Sequence, residues 1–76
     1  MSPRLPRITS AELRGALYRD GWLDRRQSGG HLHLAHPTKP GRVTVSTHAG
    51  EIIKPKTLAT ILDQAGLTVD ELRGLL

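Results

Sequence analysis

The sequence predicts an α+β fold: a three-stranded antiparallel sheet with helices on one face, in the order α-β-β-β-α, followed by a short C-terminal helix. Three observations predict it. Apolar residues recur at helical spacing behind capping signals near both ends of the chain. The middle alternates apolar and polar residues. Glycines and prolines punctuate the joints. The 76 residues suffice for one domain with a thin core, placed at residues 8–76. Residues 1–7, with two prolines and two arginines, read as a flexible basic tail.

The first helix covers about residues 10–20. Thr9 and Glu12 have capping-box spacing, and Ile8 and Leu13 are placed to form the hydrophobic staple. Leu13, Ala16 and Leu17 make its apolar stripe, and Asp20-Gly21 ends it. Trp22 to Arg26 is the first extended segment, and Ser28-Gly29-Gly30 a turn. From His31 to His36, Leu32 and Leu34 take one face while His31 and His33 take the other. His36 to Gly41 is a loop with two prolines. In the third strand, Arg42 to Thr47, Val43 and Val45 point inward and Arg42, Thr44 and Ser46 outward. The sheet thus has one aliphatic face and one polar face carrying histidine and arginine, as expected for an antiparallel sheet covered on one side.

His48-Ala49-Gly50 reads as a loop and Glu51-Ile52-Ile53 as an extended link. The second helix starts near Pro55, a favourable first helical residue, with Leu58, Ile61, Leu62 and Ala65 on one stripe and Gly66 as C-cap. Thr68 and Glu71 form a second capping box, opening a final helix over about 69–76. Helices on one face of such a sheet make an α+β sandwich, and the element order is that of a double-stranded-RNA-binding domain.

Composition narrows the function. Without cysteine there is no disulfide, thiolate metal site or thiol nucleophile. No apolar run is long enough to span a membrane, and the basic N-terminus leads into no signal segment, so a cytoplasmic protein is expected. Net charge is +4, concentrated in the middle. Between Arg25 and Lys56 six basic residues (Arg25, Arg26, Lys39, Arg42, Lys54 and Lys56) face one acid, Glu51. A localised basic surface attracts polyanions, because phosphate neutralisation dominates nucleic-acid affinity. A solvated basic face is the alternative. Tyr18 and Trp22 are the only aromatic residues, too few for base stacking, so RNA would be held by its backbone and shape.

The stretch from Gly29 to Pro37 carries three histidines. An imidazole titrates near neutral pH and can both accept and donate a proton. RNA supplies its own nucleophile, the 2′-hydroxyl, so a base plus positive charge on the phosphate suffices, with no metal or cofactor. Gly29 and Gly30 allow close backbone approach and uncover His31. His33 reads as a solvated or RNA-facing side chain, His36 as a residue that shapes the loop, and His48 has no distinguishing feature. His31, His33 and His36 form H-x-H-x2-H, but strand alternation sends His36 to the opposite face, and no metal site is expected. Lys54 and Lys56 flank the start of the second helix, where free N–H groups and the dipole attract phosphate; shaping the turn is the alternative.

Several pieces together resemble one family. Gly21-Trp22, Arg26-Gln27, Gly29-x-His31 and His36-Pro37 are followed by Arg42-Val43-Thr44-Val45. Then comes Ile53-Lys54-Pro55-x-Thr57-Leu58-x-x-Ile61-Leu62-x-Gln64-Ala65-Gly66. The pattern resembles the HicA toxins of bacterial toxin–antitoxin pairs from about Thr9 to the C-terminus. The resemblance implies a double-stranded-RNA-binding-like fold, cleavage of mRNA, and a HicB-type antitoxin covering the active surface. It also implies that His31 is the catalytic histidine of a Gly-Ser-His element. Gly30 stands where that family has serine, and Ser46-Thr47-His48 replaces its common Pro-His-His loop. A non-catalytic RNA-binding module of the same fold is the alternative reading, and an interaction protein whose basic face chiefly binds an acidic antitoxin is another.

Overall fold

A computed structural model describes residues 4–76. The elements are α1 (Ser10–Arg19), β1 (Leu23–Ser28), β2 (His31–Ala35), β3 (Val43–Ser46), α2 (Pro55–Ala65) and α3 (Val69–Leu75). The strands form one antiparallel sheet in the order β1-β2-β3. This is the expected α+β layout.

Both capping boxes form. The Thr9 hydroxyl accepts from the Glu12 N–H while the Glu12 carboxylate accepts from the Thr9 N–H, and Thr68 and Glu71 repeat the exchange. Each pairing satisfies backbone donors that a helix start leaves open. Ile8 and Leu13 are both buried, consistent with the staple. Gly66 closes α2 in the left-handed conformation, φ 67°.

Strand alternation sorts the sheet into two faces. Leu32, Leu34, Val43 and Val45 are buried in one core with Leu13, Ala16, Leu17, Leu58, Ile61, Leu62 and Leu72 from the helices. His31 is exposed, and His33, Ala35, Thr44 and Ser46 are half-buried on the other face. The helices therefore cover one face and leave the histidine face open.

The first strand starts at Leu23 rather than Trp22 and runs on to Ser28. Trp22 stays outside the strand because its backbone N–H closes the end of α1, donating to the Leu17 carbonyl at 3.0 Å, while its fully buried indole N–H donates to Asp20 Oδ2 at 3.1 Å. The third strand is shorter than Arg42 to Thr47. Its last residue is Ser46, although the Thr47 N–H still donates to the Gly30 carbonyl (2.9 Å), one step further along the same register. Gly29 has φ +58° and Gly30 does not have positive φ, the sign pattern of a type II′ hairpin turn, whose twist matches the strands it joins.

Part of the segment expected as a tail, residues 1–3, lies outside the described residues. From Arg4 onward the chain is held against the domain. Leu5 packs on the core, and the Arg4 carbonyl accepts from Arg73 Nη2 at 2.6 Å. Among the described residues no helix is long and apolar enough to cross a membrane.

Candidate active site

The register of the sheet sets the site. His31 pairs with Ser46, and His33 with Thr44, across β2 and β3. Beyond Ser46 the chain enters a loop tied to two elements at once. The Ser10 N–H donates to the Glu51 carbonyl (2.9 Å), Ala11 N–H to the Ala49 carbonyl (3.1 Å), and Ile53 N–H to the Ile8 carbonyl (2.9 Å). Residues 49 and 51 thus satisfy open donors at the start of α1. The fully buried Ser10 hydroxyl donates to the Ser46 carbonyl at 3.1 Å, joining α1 to the end of β3.

These ties create a cleft of about 480 Å³ lined by Gly30 and His31 of the hairpin, Thr44 and Ser46 of β3, His48 and Glu51 of the loop, and Ile53, Thr57 and Ile61. A Cβ built on Gly30 would lie 3.5 Å from His48 Nε2. The His48 ring therefore sits over the backbone just before His31. Within the loop, His48 N–H donates to Ser46 Oγ (3.1 Å), Ser46 Oγ donates to Glu51 Oε2 (3.2 Å), and Glu51 N–H donates to the His48 carbonyl (3.0 Å).

A second depression, about 440 Å³, lies on the same face and is lined by Arg25, Arg26, His33, Ala35, Gly41 and Arg42. Its arginines converge because β1 carries a bulge: Asp24 pairs with Leu34 and Arg26 with His33, so Arg25 is an extra residue. A bulge bends the strand and re-aims side chains. The His33 Nδ1 to Thr44 Oγ1 hydrogen bond (3.0 Å) bridges the two hollows, since His33 lines one and Thr44 the other. The open face thus presents a continuous track from three guanidinium groups to two imidazoles.

The expected lysines divide differently. Lys54 is the residue before Pro55 and has no side-chain capping bond. It lines a neighbouring groove with Leu5, Pro6, Arg7, Ile52, Ile53 and Pro55. Ile53 lines both hollows, so the groove abuts the histidine cleft, but Thr57, not a lysine, is the residue of the first turn of α2 that lines the cleft. Lys56 is exposed and lines neither.

Lys39 stands apart from the arginine groove. It was placed among the RNA-steering cations, yet its Nζ is 2.6 Å from Asp20 Oδ2 and donates to the Ala65 carbonyl at 3.1 Å. It ties the β2–β3 loop to the end of α2, beyond the end of β2 opposite His31.

His36 does shape the loop. Its Nε2 contacts the Asp20 carbonyl at 2.6 Å, and its Nδ1 accepts from the Thr38 and Lys39 N–H groups at 3.1 Å each. A carbonyl only accepts, so the proton is on Nε2, and both nitrogens are used within the fold. The ring also meets Trp22 edge-on, 5.3 Å between centroids. Among the described residues no three His, Asp or Glu side chains stand close enough together to hold a metal.

The two aromatic residues lie away from the track. Trp22 is buried, and the Tyr18 hydroxyl on α1 donates to Asp24 Oδ1 at 2.6 Å. Partial burial and that bond raise the Tyr18 pKa above its ordinary value.

His48 and Glu51 were missed as site residues. The loop residues reach the cleft through bonds to α1 and to the Gly29-Gly30 turn, partners distant in sequence. The local signal was the His48-Ala49-Gly50-Glu51 spacing, which lets one turn present both side chains.

Fold and site define a small α+β protein whose uncovered sheet face joins an arginine groove to a histidine cleft. Residues 10–67, more than half of the chain, match the family model described as the HicA toxin of bacterial toxin-antitoxin, and the chain belongs to that family. Its class is accordingly the toxin of a toxin–antitoxin pair, which implies an antitoxin partner. No curated protein matches the chain.

Proposed function

We propose that this toxin is a metal-independent endoribonuclease that cleaves mRNA, with His31 as the central acid–base residue. The observation that carries the reading is an exposed imidazole at the mouth of a cleft, joined to a cationic groove on one sheet face. Family membership supports it. Arg25, Arg26 and Arg42 neutralise backbone phosphates, beside His33. Gly29 and Gly30 keep the hairpin low, so a ribose-phosphate can approach His31 closely. Lys54 and Lys56 add charge at the uncapped start of α2, where free N–H groups favour an anion. In the reaction His31 exchanges a proton with the reacting ribose-phosphate while the 2′-oxygen attacks phosphorus. A HicB-type antitoxin binding this face would block RNA from it.

The test is direct. Purified protein is incubated with mRNA in the presence of a chelator, beside His31→Ala. Cleavage by the native protein and none by a folded His31→Ala variant is expected, as is growth arrest on expression of the native protein alone. Full cleavage or toxicity in His31→Ala would overturn the assignment. RNA binding without cleavage from about pH 5 to 8, the range over which histidine titrates, would make the chain an RNA-binding module instead.

A further inference from the structure

We propose that His48 is the second proton-transfer residue of this nuclease, acting opposite His31; the proposal rests on the ribonuclease reading above. Transesterification of RNA moves two protons. One leaves the 2′-hydroxyl as its oxygen forms the new bond to phosphorus. The other reaches the 5′-oxygen as its bond to phosphorus breaks. The products are a 2′,3′-cyclic phosphate and a 5′-hydroxyl, and nothing is oxidised or reduced. One imidazole enters neutral and takes the first proton, while the other enters protonated and gives the second. Exchange with water then restores both.

The cleft brings two imidazoles to one hollow. His48 Nε2 lies 3.5 Å from the Cβ position of Gly30, the residue preceding His31. Both side chains line one hollow of the size of a nucleotide fragment rather than a tunnel or a flat surface. The loop that presents His48 is fixed at both ends. Thr47 N–H holds it to Gly30, and Ala49 and Glu51 hold it to α1. Ser46 sits opposite His31 in the sheet, accepts from His48 N–H, and donates to Glu51. Ser46 and Glu51 are therefore positioning residues. The titratable groups lining the cleft are His31, His48 and Glu51. The Glu51 carboxylate is already engaged by Ser46, which leaves His48 as the partner of His31. A Cβ at Gly30 would stand in ordinary van der Waals contact with His48 Nε2, so the His48 ring lies directly against the turn.

The experiment compares native protein, His31→Ala, His48→Ala and the double variant in single-turnover cleavage of RNA, with RNA affinity and thermal unfolding measured alongside. A general acid or base contributes about 10²–10⁴-fold. His48→Ala is expected to lose that much in cleavage rate with RNA affinity and unfolding temperature unchanged. Added imidazole is expected to restore part of the rate, which a merely structural role would not allow. The double variant is expected to be little slower than either single one, since residues acting as a unit are not additive. Should His48→Ala fold poorly, His48→Gln replaces it. A folded His48 variant cleaving at the native rate while His31→Ala is inactive overturns this proposal and leaves the nuclease reading standing. Native-rate cleavage by His31→Ala, or none by the native protein, overturns both.

Discussion

His36 and His31 lie in the same nine-residue stretch, Gly29 to Pro37, and replacing each by alanine is expected to do opposite things. His36 uses both ring nitrogens inside the fold: Nε2 on the Asp20 carbonyl, Nδ1 on the Thr38 and Lys39 N–H groups. Each such bond contributes about 1 kcal/mol net. The edge-on contact with Trp22 adds about 0.5–1.5 kcal/mol. Because the Thr38 end is exposed, His36→Ala is expected to cost about 2–4 kcal/mol. A chain of this size has roughly 4–11 kcal/mol in total. The loss is therefore a large part of its stability and corresponds to a fall in Tm of about 10–25 °C. His31 is exposed and has no packing to lose, so His31→Ala is expected to stay within about 0.5 kcal/mol of the native protein. Circular dichroism melts of the two variants measure this, and RNA cleavage well below the lower Tm completes the comparison. His36→Ala should cleave near the native rate when folded, and His31→Ala should not cleave. A His36→Ala melt within a few degrees of native would refute the view that this ring fastens the loop to α1.

Further predictions follow from the same contacts. Gly21 has φ +102°, and a Cβ there would fall 2.7 Å from His36 Nε2; Gly21→Ala is expected to cost about 1–3 kcal/mol from backbone strain alone, and an unchanged Tm would contradict the packing. Arg25→Ala, Arg26→Ala and Arg42→Ala should each weaken RNA binding and flatten the log K against log salt slope by about one. Lys39→Ala should leave the slope unchanged while costing up to about 1 kcal/mol of stability, since its ion pair is partly exposed. Equal slopes for Lys39→Ala and Arg42→Ala would remove that distinction. The Thr68 backbone N–H and then its side chain hold the Glu71 pKa below the usual 4.5. A depressed carboxylate contributes stability above its unfolded value and loses it as pH falls through the folded one. The Thr68 amide shift in NMR should therefore titrate with a midpoint below 4.5 and become silent in Glu71→Gln; a midpoint at or above that value contradicts the capping bond.

The parts legible in the sequence are those whose cause is local. Thr9 with Glu12, and Thr68 with Glu71, announce helix starts because both partners lie within one turn. Leu32 and Leu34, then Val43 and Val45, announce a one-sided sheet by period alone. Trp22 opens the extended segment expected from the sequence, but its burial beside Asp20 and His36 depends on a loop fourteen residues on. The bulge at Arg25 leaves no mark either, because it is defined by what Leu34 and His33 pair with. The same holds for charge. Lys39 and Arg42 look alike three residues apart, yet Lys39 finds Asp20 and the Ala65 carbonyl while Arg42 turns into the groove. The exposure of His31 is legible because its strand face follows from alternation. His48 was passed over because its position is fixed only after β3 has paired with β2 and the loop has closed on α1.

That last dependence ties the site to folding. The carbonyls of Ala49 and Glu51 complete the start of α1, and the Ser10 hydroxyl completes the end of β3. These are open donors and acceptors that any stable version of the fold must satisfy. The same bonds place the His48 loop against the hairpin turn before His31. No separate scaffold is needed to hold the two imidazoles in one cleft, because the bonds that close the domain also set their positions. In a chain with so thin a core this economy has a consequence. Loosening the Ser10 contact moves the loop and the cleft together, so Ser10→Ala, at a buried position that does not itself line the cleft, is expected to lower cleavage along with about 1–2 kcal/mol of stability. If Ser10→Ala lost that stability yet retained the native rate at a temperature where it is fully folded, the cleft would owe its geometry to something other than the join between α1 and β3.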